Sequence, residues 1–143
     1  MVFGRSERQT LRAFVEWAVA ADAGRAEEVV DALDDLFAEV PREPRLFVRA
    51  ALTAIGVGSW LRHGRSLSAL DPAARDRYLR SWLEHPRYGI RSLAKVVYLN
   101  VLMSWYSRGD QAEKHGFRPA ELVLLREKLR IVDPRAAPPP ERA

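Results

Sequence analysis

The chain has 143 residues, 29% of them charged and 48% hydrophobic, with a formal net charge of +4 and no cysteine. That length suits one domain whose core holds without staples, and the missing thiols exclude a cysteine nucleophile, an iron–sulfur cluster and a cysteine-ligated zinc site. The basic residues are 20 arginines and 3 lysines mixed among 19 acids, a weak basic balance that does not by itself indicate nucleic acid.

Ser6 and Gln9 have the spacing of a capping box, and Leu11, Phe14, Val15, Ala18 and Val19 repeat at helical spacing. The pattern predicts a first helix over about 6–21, broken by Gly24. Val29, Val30, Leu33, Leu36, Phe37 and Val40 make the next apolar stripe, with Glu27, Glu28, Asp31, Asp34, Asp35 and Glu39 expected on a solvated acidic face. Pro41 and Pro44 punctuate, and 46–62 reads as a third helix. Its Ala50, Ala54 and Gly58 lie four apart, a ridge of small residues that lets another helix come close. A turn at His63–Ser66 leads to Asp71 as N-cap and Pro72 as first residue of a helix reaching about Glu84. Asp76, Arg80 and Glu84 stack along it as a solvated ion-pair face. Pro86 opens a fifth helix over 87–107, and Pro119 starts a short amphipathic one with Leu122, Leu125 and Leu129. From Asp133 onward, "DPRAAPPPERA" is proline-rich and poor in apolar residues, the composition of a disordered tail. The expected fold is all-α: a compact bundle of five to six helices in a single domain over 1–132, with the tail at 133–143.

The uncharged run "VVYLNVLMSWYS", residues 96–107, is the most apolar helical stretch. Twelve helical residues rise about 18 Å against a hydrocarbon slab of roughly 30 Å, so the run is too short to span a bilayer. Lys95 and Arg91 before it, and Arg108 and Asp110 after it, close off any extension. A helix apolar all round is normally surrounded by other helices, which places Leu99 in the core by expectation. The opening "MVFGRSERQTLRAF" has no signal-peptide core and no twin arginine. A cytoplasmic location is therefore expected unless a signal-bearing partner carries the chain out.

Motifs of chemistry are sparse. Gly56-Val57-Gly58 is half of a dinucleotide fingerprint, but no strand precedes it and Leu61 stands where the third glycine belongs. Ser59 in "GVGSW" is not in a nucleophile elbow. His63, His85 and His115 lie near turns without metal-ligand spacing, as surface or capping histidines do. Residues 62–91 hold seven arginines against three acids, interleaved with Tyr78, Trp82 and Tyr88. That local bias leaves an Arg-rich nucleic-acid binder as one alternative and a self-associating helical scaffold as another. Acids at helical spacing and the lack of a clear helix-turn-helix argue against nucleic acid.

One ordered arrangement is more specific. Leu67-Ser68 and Leu70-Asp71-Pro72 precede "ARDRYLRSWLEHPRYGIRSLAKVVYLNVLMSWYS", and the Gly116 of "HGFRP" stands ten positions after Tyr106. This order resembles the small helical subunit or domain that accompanies GMC-type flavin dehydrogenases, the gluconate 2-dehydrogenase subunit 3 type. That pattern has a Pro-capped helix reading R-x-x-Y/L-x-x-x-W, an Arg-started apolar helix closing on Tyr-Tyr-Ser, and a Gly-Tyr-x-Gly-Pro turn. The fit covers about residues 65–119, and "SERQTLRAFVEWAV" is similar to the family's opening helix. Trp105 replaces the first tyrosine, Phe117 the turn tyrosine, and Arg118 precedes Pro119 where a glycine is usual. The resemblance implies a non-catalytic accessory chain that stabilises or matures a flavoprotein large subunit, with FAD in the partner and no cofactor in this chain. It also implies a contact made by Arg91, Trp105, Tyr106, Gly116, Phe117 and Pro119.

Overall fold

The computed structural model describes residues 1–108, and the chain divides at Ser107 into two units, of which the first, Met1–Ser107, is described here. It holds five α-helices and one 3₁₀ turn: α1 Arg5–Val19, α2 Ala23–Glu39, α3 Arg42–His63, the turn Leu67–Ala69, α4 Pro72–Leu83 and α5 Tyr88–Tyr106. No strand occurs among the described residues, so the unit is all-α as the periodicity requires. The sixth helix expected after Pro119, the domain limit at 132 and the tail at 133–143 lie outside the described residues.

Capping sets the helix ends, and in two places it departs from the sequence expectation. α1 is capped by Gly4, whose backbone N–H donates to Glu7 Oε2 at 2.6 Å, so the box lies two residues earlier than Ser6 and Gln9 would give. Gly24 lies inside α2 rather than breaking α1. The break is made by Ala20, at φ 50°, and by Asp22, whose carboxylate accepts the Arg25 N–H at 2.9 Å. Pro44 sits in the first turn of α3, where backbone N–H groups have no helical acceptor and a proline does no harm. α4 starts as its sequence dictates, with Asp71 accepting the Ala74 N–H at 3.0 Å and Pro72 in the first turn.

α1 lies at the centre and packs against α2, α3, the 3₁₀ turn, α4 and α5. Its buried Leu11, Phe14 and Val15 meet Val29, Val30 and Leu33 of α2, Leu52 and Ile55 of α3, Leu79 of α4 and Val97 and Val101 of α5 in one core. Burying each such side chain is worth about 1.5–3 kcal/mol before the entropy of ordering it. Aromatic edges extend the cluster: Phe14 meets Trp17 at 5.6 Å between centroids, and Trp17 meets Tyr98 at 6.2 Å. Polar ties then fix α1 to α4. Trp17 Nε1 donates to Asp76 at 2.9 Å and Arg75 pairs with Glu16 at 3.1 Å, so Asp76 does more than pair with Arg80 on a wet face.

The acids of α2 are likewise not merely solvated. Arg8 pairs with Glu27 at 2.8 Å, with Asp31, and with Asp34 at 3.6 Å. Asp34 is buried and accepts the backbone N–H groups of Val2 and Phe3, each at 2.8 Å, which pins the first residues onto α2. Burial pushes the Asp34 pKa up, but those two N–H groups and the nearby positive charges outweigh it and hold the carboxyl below its ordinary value.

Close approach between helices occurs at Gly56 and Gly58 rather than along the whole small-residue ridge, since Ala50 is exposed. A Cβ on Gly58 would stand 2.6 Å from the Tyr78 hydroxyl and 3.1 Å from Trp82 Cζ2. That space lets Tyr78 of α4 donate to the Ile55 carbonyl at 2.7 Å, and burial pushes its phenol up to about 12.

Candidate partner interface

α5 is not surrounded on all sides. Val97, Val101 and Trp105, four residues apart, face the core, whereas Leu99 is 55%, Met103 71% and Tyr106 47% exposed. Leu99 is therefore a surface residue, contrary to the expectation from the uncharged run. Absence of charge marks an apolar face without saying what covers it.

Beside this face runs an apolar groove of about 420 Å³, formed by Leu36 and Val40 of α2, Pro44 and Phe47 of α3, and Val96 and Asn100 of α5. Leu36 and Phe47 are about half exposed, so the α2 stripe reaches out of the core at Leu36. Met103 continues the α5 wall, seven residues on from Val96 and three from Asn100 on the same helical face. The Asn100 amide donates back to the Val96 carbonyl at 2.8 Å. The end of α2 that frames the groove is held by Arg45, whose Nη2 donates to the Val40 carbonyl at 2.8 Å and the Ala38 carbonyl at 3.0 Å. The groove thus has fixed walls and an apolar lining, the features that suit it to apolar side chains from outside.

The residues singled out from the sequence divide three ways. Tyr106 is exposed beside Met103, at the end of α5. Trp105 is buried in the core, 9% exposed, because it shares the phase of Val97 and Val101; it has little area to offer a partner. Arg91 is half buried, its guanidinium donating to the His85 carbonyl at 3.1 Å and lying 5.8 Å from the Tyr88 ring centre, which joins the α4–α5 turn to α5. Gly116, Phe117 and Pro119 lie outside the described residues. Leu36, Phe47, Leu99 and Met103 were not marked by the sequence pattern: Leu36 reads as one more member of the α2 stripe, Leu99 and Met103 as part of the uncharged run, and nothing singles out Phe47.

The Arg-rich stretch is partly used internally. Arg75 and Arg80 pair with Glu16 and Asp76, and Arg75 also donates to the Ser68 carbonyl at 3.0 Å. Arg62, Arg65, Arg77 and Arg87 are exposed. His85 Nδ1 accepts the Arg87 N–H at 3.1 Å, a capping role, and His63 packs edge-on against Tyr78. Among the described residues no group of three or more His, Asp or Glu is arranged to hold a metal ion, and no helix is long and apolar enough to cross a membrane.

Fold and surface together define an all-α bundle with an apolar groove open along one side. Compared with protein-family models, with curated proteins and with solved structures, the chain finds no match in any of the three.

Proposed function

We propose that this chain is the non-catalytic small subunit of a GMC-like, FAD-dependent dehydrogenase, and that it binds the folded large subunit through the groove of α2, α3 and α5. The observation that carries the binding role is the groove itself, lined by Leu36, Phe47 and Val96 and continued by exposed Met103. The identity of the partner rests on the resemblance over residues 65–119. FAD belongs to the large subunit in this reading. The small subunit acts by mass action: a ligand of the native state alone raises the native population by RT ln(1 + [L]/Kd), which stabilises a flavoprotein that folds slowly or holds its cofactor loosely. The complex resides in the cytoplasm unless the large subunit carries an export signal.

Co-purification of the tagged chain from its source cells, followed by an absorbance spectrum, tests this. A stoichiometric second chain with the oxidised-flavin bands is expected, while the isolated chain is colourless. A stoichiometric partner without flavin, or FAD bound to the isolated chain, would defeat the assignment.

A further inference from the structure

A second cavity, of about 230 Å³, lies where the start of α1, the middle of α3 and the loop before α4 converge. Gln9 and Thr10 line it from α1, Gly56 and Trp60 from α3, and Ser66 and Ser68 from the loop. Every lining residue is uncharged, in a chain of which 29% is charged. Its polar groups are already oriented. Gln9 Nε2 donates to Ser68 Oγ at 2.7 Å, and the Ser66 and Ser68 hydroxyls lie 3.1 Å apart. Each hydroxyl still has capacity for a further bond.

Thr10 adds a hydroxyl to the same wall. It is only 6% exposed, and its hydroxyl has no hydrogen-bond partner among the described residues. Among the described residues the buried side-chain polar atoms without a partner are Arg45 Nε and Arg75 Nε, so the Thr10 hydroxyl is open to solvent at the cavity wall and free to bond a group that enters it. Gly56 permits this placement, since a Cβ there would stand 2.7 Å from Thr10 Oγ1. At the rim stands Trp60, 62% exposed, a large apolar plane beside a row of neutral donors and acceptors.

We infer that this cavity binds a neutral polyhydroxylated ligand, a single sugar ring, with its hydroxyl edge on Thr10, Gln9 and the loop serines and its apolar C–H face against Trp60. The neutral lining gives no counter-charge to an anion or cation, and sites for drug-sized ligands measure roughly 300–1,000 Å³, so one ring fits where a longer ligand does not. With so few atoms to engage, a Kd of roughly 1–10 mM is expected.

The test is a titration of the ¹⁵N-labelled full chain with glucose, galactose, mannose and N-acetylglucosamine, followed by amide shifts, with glucose 6-phosphate as the charged comparison. Saturable shifts for at least one neutral sugar, confined to the first turns of α1, Gly56–Trp60 and Ser66–Ser68, are expected. Thr10→Val, which keeps the shape and removes the hydroxyl, and Trp60→Ala, which removes an exposed ring, should each weaken binding about tenfold with the melting temperature retained. No saturable shift for any of the four sugars, tighter binding of glucose 6-phosphate than of glucose, or undiminished binding by both variants overturns the inference.

Discussion

Gly58→Ala sets two opposing effects against each other, and the contact geometry decides between them. Alanine in place of a helical glycine gains about 0.8–1.0 kcal/mol from propensity alone. Against that, the new methyl would sit 2.6 Å from the Tyr78 hydroxyl and 3.1 Å from Trp82 Cζ2. Tyr78 is 3% exposed and its hydroxyl is held on the Ile55 carbonyl at 2.7 Å, so it gives way only by losing that bond, worth about 0.5–1.5 kcal/mol. Overpacking a filled contact adds about 1–3 kcal/mol. The net is a destabilisation of about 1–3 kcal/mol, or a drop in melting temperature of roughly 4–20 °C for a unit of this size. Tyr78→Phe removes the colliding oxygen and leaves the ring carbon at 3.8 Å, so Gly58→Ala should cost clearly less in that background. Urea titrations of the four members of this cycle, read by circular dichroism, measure the coupling. If Gly58→Ala stabilises the protein, or costs the same with and without the Tyr78 hydroxyl, then α4 is not seated on Gly58 and the packing described above is wrong.

Three further expectations follow from burial and charge. Leu52→Ala, at a fully buried site, should cost about 2–5 kcal/mol in urea unfolding, whereas Leu99→Ala should cost well under half as much; equal losses would place Leu99 in the core after all. Asp34 has a depressed pKa in the folded state, so its stabilisation is present above the ordinary carboxylate pKa of about 3.9 and is lost as pH falls through the lower folded value. Asp34→Asn should therefore lower the urea midpoint at pH 7 and lose most of that deficit near pH 2, and a deficit independent of pH contradicts the assignment. Phe47→Ala and Phe117→Ala should leave the melting temperature nearly unchanged and weaken capture of the proposed flavoprotein partner by about 2 kcal/mol or more if either is an interface anchor, with a pull-down titration as the measure. Unchanged capture by Phe47→Ala removes the groove from the contact.

Local chemistry was legible in the sequence and surroundings were not. Asp71 and Pro72 announce the start of α4 because the cap is made by the side chains themselves. The start of α1 was misplaced because its cap is a glycine, which carries no side-chain signature; only Glu7, reaching back to the Gly4 N–H, betrays it. Gly24 looked like a breaker because a glycine weakens a helix interior, yet in the first turn beside the Asp22 cap that weakness matters little. Along α5 the difficulty is of another kind. Leu99 and Val101 are alike in hydropathy, and which of them meets the core depends on where α1 and α4 lie, a fact of tertiary packing that no local pattern carries. The same ambiguity hid the groove, whose walls come from three helices far apart in sequence. The small cavity at Thr10 was invisible for the complementary reason, since threonine and serine are ordinary residues and only their convergence gives them meaning.

The central position of α1 has a consequence for how the chain is made. Helix α1 leaves the ribosome before the other four, but Trp17 and Glu16 find their partners Asp76 and Arg75 only after a further 59 residues, and Phe14 waits longer for Tyr98. At roughly 5–20 residues per second, that interval is about 3–12 s during which α2 and α3 can cover one side of α1 while the aromatic side stays bare. The earliest of the five helices thus stays partly bare until α4 and α5 follow. Translation arrested between α3 and α4 would release a fragment with Phe14 and Trp17 uncovered, a surface for which holding chaperones and aggregation compete.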